Sequence, residues 1–329
     1  MARILVTGGC GFIGSNFINY WLSNHPDDSV VNIDKMTYAA DESYIDKSLV
    51  KGNYLFVKGD IADKDTVLSI SKDVDLIVNF AAESRVDRSI NDPSPFIRSN
   101  YEGVFNLLEV ARRYDLRFHQ VSTDEVFSSL PIDSKRKFTE ESPYVPGNPY
   151  SATKAATDLL IKSYRNTYGL NVTISNCSNN FWPHQHPEKL IPKTVLHALS
   201  GRKIPIYGKG DQIRDWIYVE DHVRGIETIL EKGEPGETYL LSAEKEMRNL
   251  DIVSRLLNIL GKDERLIEFV EDRPGHDERY ALYPSKARRK LGWRPIFSFD
   301  EALRSTVEHY VKSREFYQRK LVYWNHRRN

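Results

Sequence analysis

The stretch Arg3-Ile4-Leu5-Val6-Thr7-Gly8-Gly9-Cys10-Gly11-Phe12-Ile13-Gly14 runs from an apolar, β-type segment through a glycine-rich turn into an amphipathic segment. Its last three glycines have the spacing G-x-G-x-x-G, which permits a tight turn, close approach of a pyrophosphate and close packing of a helix on a strand. The first N–H groups of the helix then face the phosphates. The spacing alone is weak, but its place between strand and helix predicts a dinucleotide site.

A second dinucleotide signal is Asp34, which ends the next predicted strand 20 residues after Gly14. A carboxylate at this point accepts hydrogen bonds from the adenosine ribose and repels a 2′-phosphate, so it favours NAD over NADP. Lys35 follows directly and weakens that preference. Asp60 and Ile61 are either adenine neighbours or an ordinary turn. The candidate cofactor-binding residues are Gly8, Gly11, Phe12, Ile13, Gly14, Asp34, Lys35, Asp60, Ile61, Ala81, Tyr150 and Lys154.

Strand and helix patterns alternate through the first half of the chain. β-Branched runs predict strands over 4–7, 30–34, 54–57, 76–81, 118–123 and 172–176, with amphipathic helical spacing between them. Such alternation predicts an α/β fold with a Rossmann-type, doubly wound parallel sheet and right-handed crossovers. Ligands in such sheets bind at the carboxyl ends of the strands. We therefore expect the functional residues to follow strand ends.

The rhythm changes after residue 176, where prolines become frequent and the predicted elements shorten. Strands are predicted over 204–207, 215–219, 239–241 and 266–270, and a final helix over 299–312. We expect an NAD-binding domain over 1–176, joined by part of 213–240. Residues 177–329 mainly form a smaller, interleaved C-terminal substrate-binding domain.

Composition limits the possible partners. The 329 residues carry 46 Lys+Arg and 46 Asp+Glu, a formal net charge of zero, which argues against nucleic acid as a general partner. The basic, aromatic stretch 314–328 is expected to be a solvated helix face.

Two cysteines, Cys10 and Cys177, provide neither a disulfide framework nor a zinc site, and we predict no metal. The immediate first strand and the lack of an apolar run near ~20 residues predict a cytoplasmic protein without a membrane span.

Tyr150-x-x-x-Lys154 predicts a redox pair. On a helix the two side chains share one face, and Asn148-Pro149 predicts that a helix starts just before them. A tyrosine needs its pKa lowered by roughly three units, about 4 kcal/mol, to act as a base near neutrality. Tyr54-x-x-x-Lys58 has the same spacing, but it lies in a strand pattern, where residues four apart are ~13 Å distant. We therefore discard that second copy.

Thr123-Asp124-Glu125 lies at the end of a predicted strand, 25 residues before Tyr150. Oxidation of a sugar alcohol needs only the Tyr/Lys pair. Two further carboxyl groups at the same sheet edge can serve as an acid and a base, and so predict an elimination as well. An isolated Asp-Glu pair would usually be a solvated acidic turn. The neighbouring motifs favour catalysis here.

The chain resembles the extended short-chain dehydrogenase/reductase family over nearly its whole length, and within it the sugar-nucleotide 4,6-dehydratases. The resembling motifs are Thr7-Gly8-Gly9-Cys10-Gly11-Phe12-Ile13-Gly14, Ala81-Ala82-Glu83-Ser84, Val86-Asp87-Arg88-Ser89, Ser122-Thr123-Asp124-Glu125-Val126, Tyr150-x-x-x-Lys154, His186-Pro187-Glu188-Lys189-Leu190-Ile191-Pro192, Gly210-Asp211-Gln212-Ile213-Arg214-Asp215-Trp216 and Arg273-Pro274-Gly275-His276-Asp277. The Thr-Asp-Glu triplet is the most discriminating of them.

The resemblance implies oxidation at the sugar C4, loss of water across C5 and C6, and return of the hydride to C6, with dTDP-glucose as the expected substrate. It assigns catalysis to Thr123, Asp124, Glu125, Tyr150 and Lys154. It also implies a homodimer through helices near 95–114 and 149–168, and a role in 6-deoxysugar production, such as that of rhamnose. The implied substrate-binding residues are Ser84, Asn180, Glu188, Lys189, Leu190, Pro205, Tyr207, Arg214, Asn249, Arg273 and His276.

Three positions depart from the family pattern. Arg85 replaces a histidine and is expected near the nicotinamide; Phe127-Ser128-Ser129 replaces a Tyr-Gly turn; Phe181-Trp182 replaces Tyr-Gly. The last two are expected to alter loops around the sugar pocket. A dehydratase of a UDP-sugar, a 4-epimerase or a decarboxylase of the same fold stays open as an alternative, as does an NAD-binding sensor without turnover.

Overall fold

The computed structural model describes residues 1–272 and 275–326, with side chains described as far as residue 320. Twelve strands lie in this part of the chain: β1 (Arg3–Thr7), β2 (Ser29–Asp34), β3 (Tyr54–Lys58), β4 (Leu76–Asn79), β5 (Arg117–Thr123), β6 (Val172–Cys177), β7 (Asn179–Phe181), β8 (Ile204–Tyr207), β9 (Ile213–Tyr218), β10 (Thr238–Leu241), β11 (Glu246–Arg248) and β12 (Ile267–Val270).

The α-helices of the same residues are α1 (Phe12–Asn24), α2 (Lys64–Ile70), α3 (Val86–Asn91), α4 (Ser94–Phe96), α5 (Gly103–Tyr114), α6 (Pro149–Tyr168), α7 (Leu190–Leu199), α8 (Val219–Lys232), α9 (Asn249–Leu260), α10 (Phe299–Lys312) and α11 (Arg314–His326). A π-helical segment, Ile97–Glu102, joins α4 to α5. No helix in the described chain is long and apolar enough to cross a membrane.

A seven-stranded parallel sheet in the order β10-β6-β5-β4-β1-β2-β3 forms the centre of the fold. The predicted doubly wound α/β class is confirmed. The strand order reverses beside β1, which is where such sheets bind nucleotides. One prediction was too long: β4 ends at Asn79 rather than residue 81. There the chain turns back, and the Phe80 and Ala81 N–H groups donate to the carbonyl and hydroxyl of Thr7.

Both faces of the sheet are covered, which explains why its strands are apolar on both sides. One core packs Phe17, Ile18 and Trp21 of α1 against Val223 and Ile226 of α8. The opposite core is built from α5 and α6 against the other sheet face. The stretch 219–241, which contains α8 and β10, therefore returns from the second half of the chain to the central sheet.

The rest of the second half forms smaller layers. β11, β9 and β7 make one sheet, and β8 pairs with β12 in parallel. α7, α9 and α10 pack together on them. The predicted helix over 299–312 is confirmed as α10 (Phe299–Lys312), but it is not the final one, since α11 follows it; β7 and β11 were not predicted. Each has only three residues, too few to show an alternating pattern.

The side chains at two of the departures from the family pattern, 127–129 and 181–182, do not line the candidate site. Phe181 is buried against Trp216, Tyr218 and Phe299, and the Trp182 carbonyl accepts a hydrogen bond from Tyr310. None of residues 127–129, 181 and 182 lines either of the two cavities described below. The expectation that these departures alter loops around the sugar pocket stays a prediction. The Phe181 side chain contributes to packing, while Asn180, directly before it, lines both cavities.

Ser128 has φ +88° and ψ −166°, a backbone region that is essentially restricted to glycine. We expect Ser128→Gly to raise the free energy of unfolding by about 1 kcal/mol, since glycine removes the strain and costs some chain entropy. Thermal or denaturant unfolding measures the change. Ser163→Gly, at an exposed position inside α6, is the matched control and should destabilise by about as much. A loss of stability in both variants would contradict the assignment of strain.

Candidate active site

The glycine turn after β1 is shaped to bring backbone close to a ligand. Gly8 has φ +69°, and a Cβ there would lie 2.7 Å from the Ala81 backbone; a Cβ on Gly14 would lie 2.4 Å from the Gly8 carbonyl oxygen. Side chains would therefore force the turn open. Gly11 caps α1, which points its first N–H groups into the turn. A pyrophosphate fits such a cradle.

Asp34 completes the dinucleotide geometry at the end of β2. Its carboxylate accepts hydrogen bonds from the N–H groups of Cys10 (3.0 Å) and Met36 (2.8 Å), which fix it beside the glycine turn. The Lys35 ammonium lies 2.8 Å from the Asp60 carboxylate. Its charge is thus balanced within the protein, which leaves the preference of Asp34 for a free ribose hydroxyl intact.

All twelve candidate cofactor residues line one cleft along the carboxyl edge of the sheet. The glycine turn, Asp34 and Asp60 are at one end, and Tyr150 and Lys154 are at the other. These residues would hold a dinucleotide, with its adenosine end near Asp34 and its reactive end near Tyr150. The cleft is also lined by residues that the sequence analysis did not assign to the cofactor, namely Thr37, Tyr38, Glu83, Ser178, Gln185 and His186.

α6 places the Tyr/Lys pair. Asn148 caps this helix in a capping box with Ser151, and Pro149 is its first residue, as predicted. Tyr150 and Lys154 are both buried on the cleft side. The Lys154 ammonium donates to the Val121 carbonyl at 2.8 Å, which fixes it below the cleft.

The electrostatics of Tyr150 differ from the simple expectation. Burial raises the pKa of its phenol well above the ordinary value, the charges of Glu125 and Asp124 add to this, and a hydrogen bond with the Thr123 hydroxyl opposes it. Burial also lowers the pKa of Lys154, while Asp158, one turn further along α6, raises it. The Thr123 hydrogen bond thus opposes the rise in the phenol pKa, and positive charge in the cleft acts in the same direction.

A single helical turn, Asp124–Phe127, presents the two carboxyl groups. The Thr123 hydroxyl caps it by accepting from the Glu125 N–H at 3.3 Å, and both carboxyl groups line the cleft with Tyr150. Asp124 is only 2% exposed. Burial, then the charges of Glu125 and Asp215, raise its pKa well above the ordinary value. The raised pKa favours the protonated form of Asp124, which is the form that can donate a proton.

The raised pKa of Asp124 predicts a pH-dependent stability. A carboxyl group that stays protonated in the folded state contributes fully below its unfolded pKa of about 3.9, and this contribution is lost as the pH rises towards the folded pKa. We expect Asp124→Asn to gain stability over the parent as the pH rises from about 5 to about 8, by up to about 1.4 kcal/mol per unit. Unfolding at several pH values measures it. Asp133→Asn, at an exposed site, should follow the parent curve. Parallel curves for Asp124→Asn would refute the protonated state.

A second cavity adjoins the cleft and holds the candidate substrate residues. It shares the lining residues Ser84, Glu125, Asn179, Asn180, Gln185, Glu188 and Lys189 with the cleft. Glu125 therefore stands where the two cavities meet. Ten candidate residues line the second cavity: Ser84, Asn180, Glu188, Lys189, Leu190, Pro205, Tyr207, Arg214, Asn249 and His276. The eleventh, Arg273, lies outside the described residues.

The second cavity is suited to an anion. Lys189 caps α7, whose N-terminus faces the cavity, and Lys193 lies one turn into this helix. Arg214 is held on β9 by the Asp277 carbonyl (2.9 Å), and its guanidinium lies 4.6 Å from the centre of the Tyr280 ring. Guanidinium and ammonium groups around a helix N-terminus match the oxygens of a diphosphate.

Sequence reasoning missed Lys193 and Tyr280 in this cavity, and His222 behind it. The His222 Nδ1–H donates to the Asn180 side-chain oxygen at 2.9 Å and so fixes that amide. Lys193 had a usable signal, since it follows Lys189 by one helical turn. Tyr280 and His222 had none, because tertiary folding brings them in from distant segments.

Comparisons with known proteins agree with this site. Residues 5–306 match the family model described as GDP-mannose 4,6 dehydratase. The low-salt glycan biosynthesis protein Agl12 of Haloferax volcanii is 48% identical, covering 94% of this chain and 98% of its own. The dTDP-glucose 4,6-dehydratase of Mycobacterium tuberculosis is 45% identical, covering 94% and 93%.

A crystal structure of DesIV, a dTDP-glucose 4,6-dehydratase from Streptomyces venezuelae with NAD bound, superposes with a TM-score of 0.93 at 42% identity. The match covers 97% of this chain and 99% of that one. Family model, relatives and structure thus coincide over almost the whole length. The chain belongs to the GDP-mannose 4,6 dehydratase family, within the extended short-chain dehydrogenase/reductases.

Proposed function

We propose that the protein is an NAD-dependent dTDP-glucose 4,6-dehydratase, a hydro-lyase that yields dTDP-4-keto-6-deoxyglucose. The observation that carries the proposal is the common cleft of Thr123, Asp124, Glu125, Tyr150 and Lys154, with Glu125 at its junction with the anion-binding cavity. Relatives 42–45% identical to the chain bear this name, and the DesIV structure that superposes with a TM-score of 0.93 contains NAD.

Bound NAD supplies the hydride chemistry, taking a hydride from C4 of the sugar and later returning it at C6. Tyr150 accepts the proton of the 4-hydroxyl, and Thr123, which shares a hydrogen bond with Tyr150, orients that oxygen. The resulting 4-ketone acidifies the proton on C5. Lys154, fixed on the Val121 carbonyl, is placed to hold the ribose next to the reactive ring.

Elimination then uses the two carboxyl groups in separate roles. Glu125 removes the C5 proton, and the protonated Asp124 gives a proton to the departing 6-hydroxyl, which leaves as water. The proton on Glu125 exchanges with solvent before Glu125 protonates C5 again, and the hydride is returned at C6. At this point Tyr150 carries the proton of the 4-hydroxyl and Asp124 lacks the one that it gave to water. Release of a proton from Tyr150 to solvent and uptake of one by Asp124 restore the enzyme for the next turnover.

A reaction in deuterated water tests this function. dTDP-glucose should give a product with deuterium at C5 and without the 6-hydroxyl, seen by mass spectrometry and NMR. A product that keeps its 6-hydroxyl and is inverted at C4 would show a 4-epimerase, for which Asp124 and Glu125 are unnecessary. An enzyme that binds NAD but turns over no sugar nucleotide would be a sensor. A panel of dTDP-, UDP- and GDP-hexoses separates the nucleotide preferences.

The homodimer implied by the resemblance also belongs to the proposal. Ile97, Tyr101 and Phe105 recur every fourth residue on one exposed face of the helix that includes α5, and Leu159 of the adjacent α6 is 57% exposed. Such an apolar stripe is suited to pairing with a second copy. A cytoplasmic enzyme that supplies a 6-deoxysugar pathway, such as one leading to rhamnose, fits this assembly.

We expect Leu159→Lys to convert a dimer into monomers, because a charge at the centre of an apolar contact is costly to bury. Sedimentation or light scattering measures the mass. Leu55→Lys is the matched control, since Leu55 is 51% exposed on the edge strand β3. A parent protein that is monomeric at micromolar concentration would refute the dimer.

A further inference from the structure

We propose that Tyr38, Arg85 and Glu188 form a clasp across the cofactor cleft that slows both entry and release of the dinucleotide. Glu188 is the centre of the clasp. One oxygen of its carboxylate accepts from the Tyr38 hydroxyl at 3.0 Å, and the other accepts from the Arg85 guanidinium at 2.5 Å. Tyr38 and Arg85 thus both donate hydrogen bonds to the same carboxylate.

The three residues come from three different parts of the chain. Tyr38 follows β2, Arg85 follows β4 and precedes α3, and Glu188 lies between β7 and α7. In the sheet, β1 stands between β2 and β4, and the glycine turn follows β1. A bridge from the loop after β2 to the loop after β4 therefore passes over the glycine turn. Tyr38 and Glu188 also line the cleft itself.

Burial and neighbouring side chains stabilise the closed form of the clasp. The Arg85 and Glu188 side chains are 9% and 4% exposed, so their ion pair is shielded from water and salt. Arg88 lies 4.1 Å from the centre of the Tyr38 ring, and His186 packs edge-on against the same ring. These bonds join protein groups only. A dinucleotide that enters or leaves on this side of the cleft would have to break them.

Arg85 is also one of the three departures from the family pattern. It was expected near the nicotinamide, but it is not among the residues that line the cofactor cleft; it contacts Glu188 and lines the second cavity. The advantage that the clasp gives the enzyme depends on the proposed dehydratase function. The dehydration oxidises and then reduces the same sugar, so the reduced cofactor must stay bound between the two half-reactions. A slow gate keeps it there.

Exchange of NADH tests the clasp without any sugar nucleotide. Binding and release are followed by stopped-flow fluorescence, release being started with excess NAD. For Tyr38→Phe and Glu188→Gln we expect both rate constants to rise about tenfold or more, since each removes a charge-assisted hydrogen bond from the closed state. The dissociation constant should change much less than either rate. The double variant Arg85→Glu/Glu188→Arg, which reverses the ion pair, should restore slow binding and release of NADH.

The control is Glu246→Gln, which breaks the 2.7 Å ion pair with the buried Arg279 away from the cleft and should leave both rates as in the parent. Two outcomes would overturn the clasp: unchanged rates in folded Tyr38→Phe, or faster release with unchanged binding, which would mark a direct contact with the cofactor. Melting curves identify any variant that fails to fold, and Tyr38→Phe removes only one hydroxyl. Because no sugar is present, failure here is distinct from failure of the dehydratase proposal.

Discussion

Replacing Glu125 with glutamine is expected to stop the reaction after oxidation at C4. The amide keeps the size of the side chain at the junction of the two cavities but cannot take the C5 proton. Tyr150, Thr123 and Lys154 are unchanged, so the first half-reaction survives. We expect product formation to fall by about 10²–10⁴-fold, the usual contribution of a general base.

The near-ultraviolet absorbance of reduced nicotinamide distinguishes this block from a general loss of activity. On mixing Glu125→Gln with dTDP-glucose, the absorbance should rise to a plateau close to one equivalent per site and remain there. Glu141→Gln, at an exposed position, is the matched control and should turn over as the parent does. Full activity in Glu125→Gln, or a block without reduced cofactor, would contradict its role as the base.

The central sheet was predictable because its signals are local. Most of its strands contain short apolar or β-branched runs, and β1 to β6 alternate with helices except between β2 and β3. β10 was found as a strand, yet its pairing with β6 depends on a return of the chain after more than sixty residues. β7 and β11 exist only because β9 pairs with them. Such short strands are fixed by their neighbours and leave no pattern of their own.

The site was predictable to the extent that its residues follow strand ends or begin helices. The glycine turn, Asp34, the 123–125 triplet and the Tyr/Lys pair all do. The pKa environment was not predictable, since the burial of Asp124 and the bond between Lys154 and Val121 depend on packing. The clasp could not be predicted from the sequence either. Arg85 stood out in the sequence, but nothing there linked it to residues 47 positions before and 103 after it.

Replacing Tyr150 with phenylalanine is expected to stop the reaction before any reduced cofactor forms. The change deletes only the hydroxyl that takes the proton from the 4-hydroxyl, and the ring remains packed against Phe96. Without that base, hydride loss from C4 would leave a protonated ketone, so oxidation and elimination fail together. We expect a fall of about 10²–10⁴-fold in turnover, with no rise in the absorbance of reduced nicotinamide.

The chain offers a matched control for this experiment, because Tyr54-x-x-x-Lys58 repeats the same spacing in β3. The Tyr54 hydroxyl accepts a hydrogen bond from Asn32 and takes no part in the proposed chemistry. Tyr54→Phe should therefore lose some stability and keep its turnover within a few fold. Together with Glu125→Gln, the pair of blocks orders the steps: one variant accumulates reduced cofactor and the other never makes it. Reduced cofactor in Tyr150→Phe at the parent rate would assign the first proton transfer to another group.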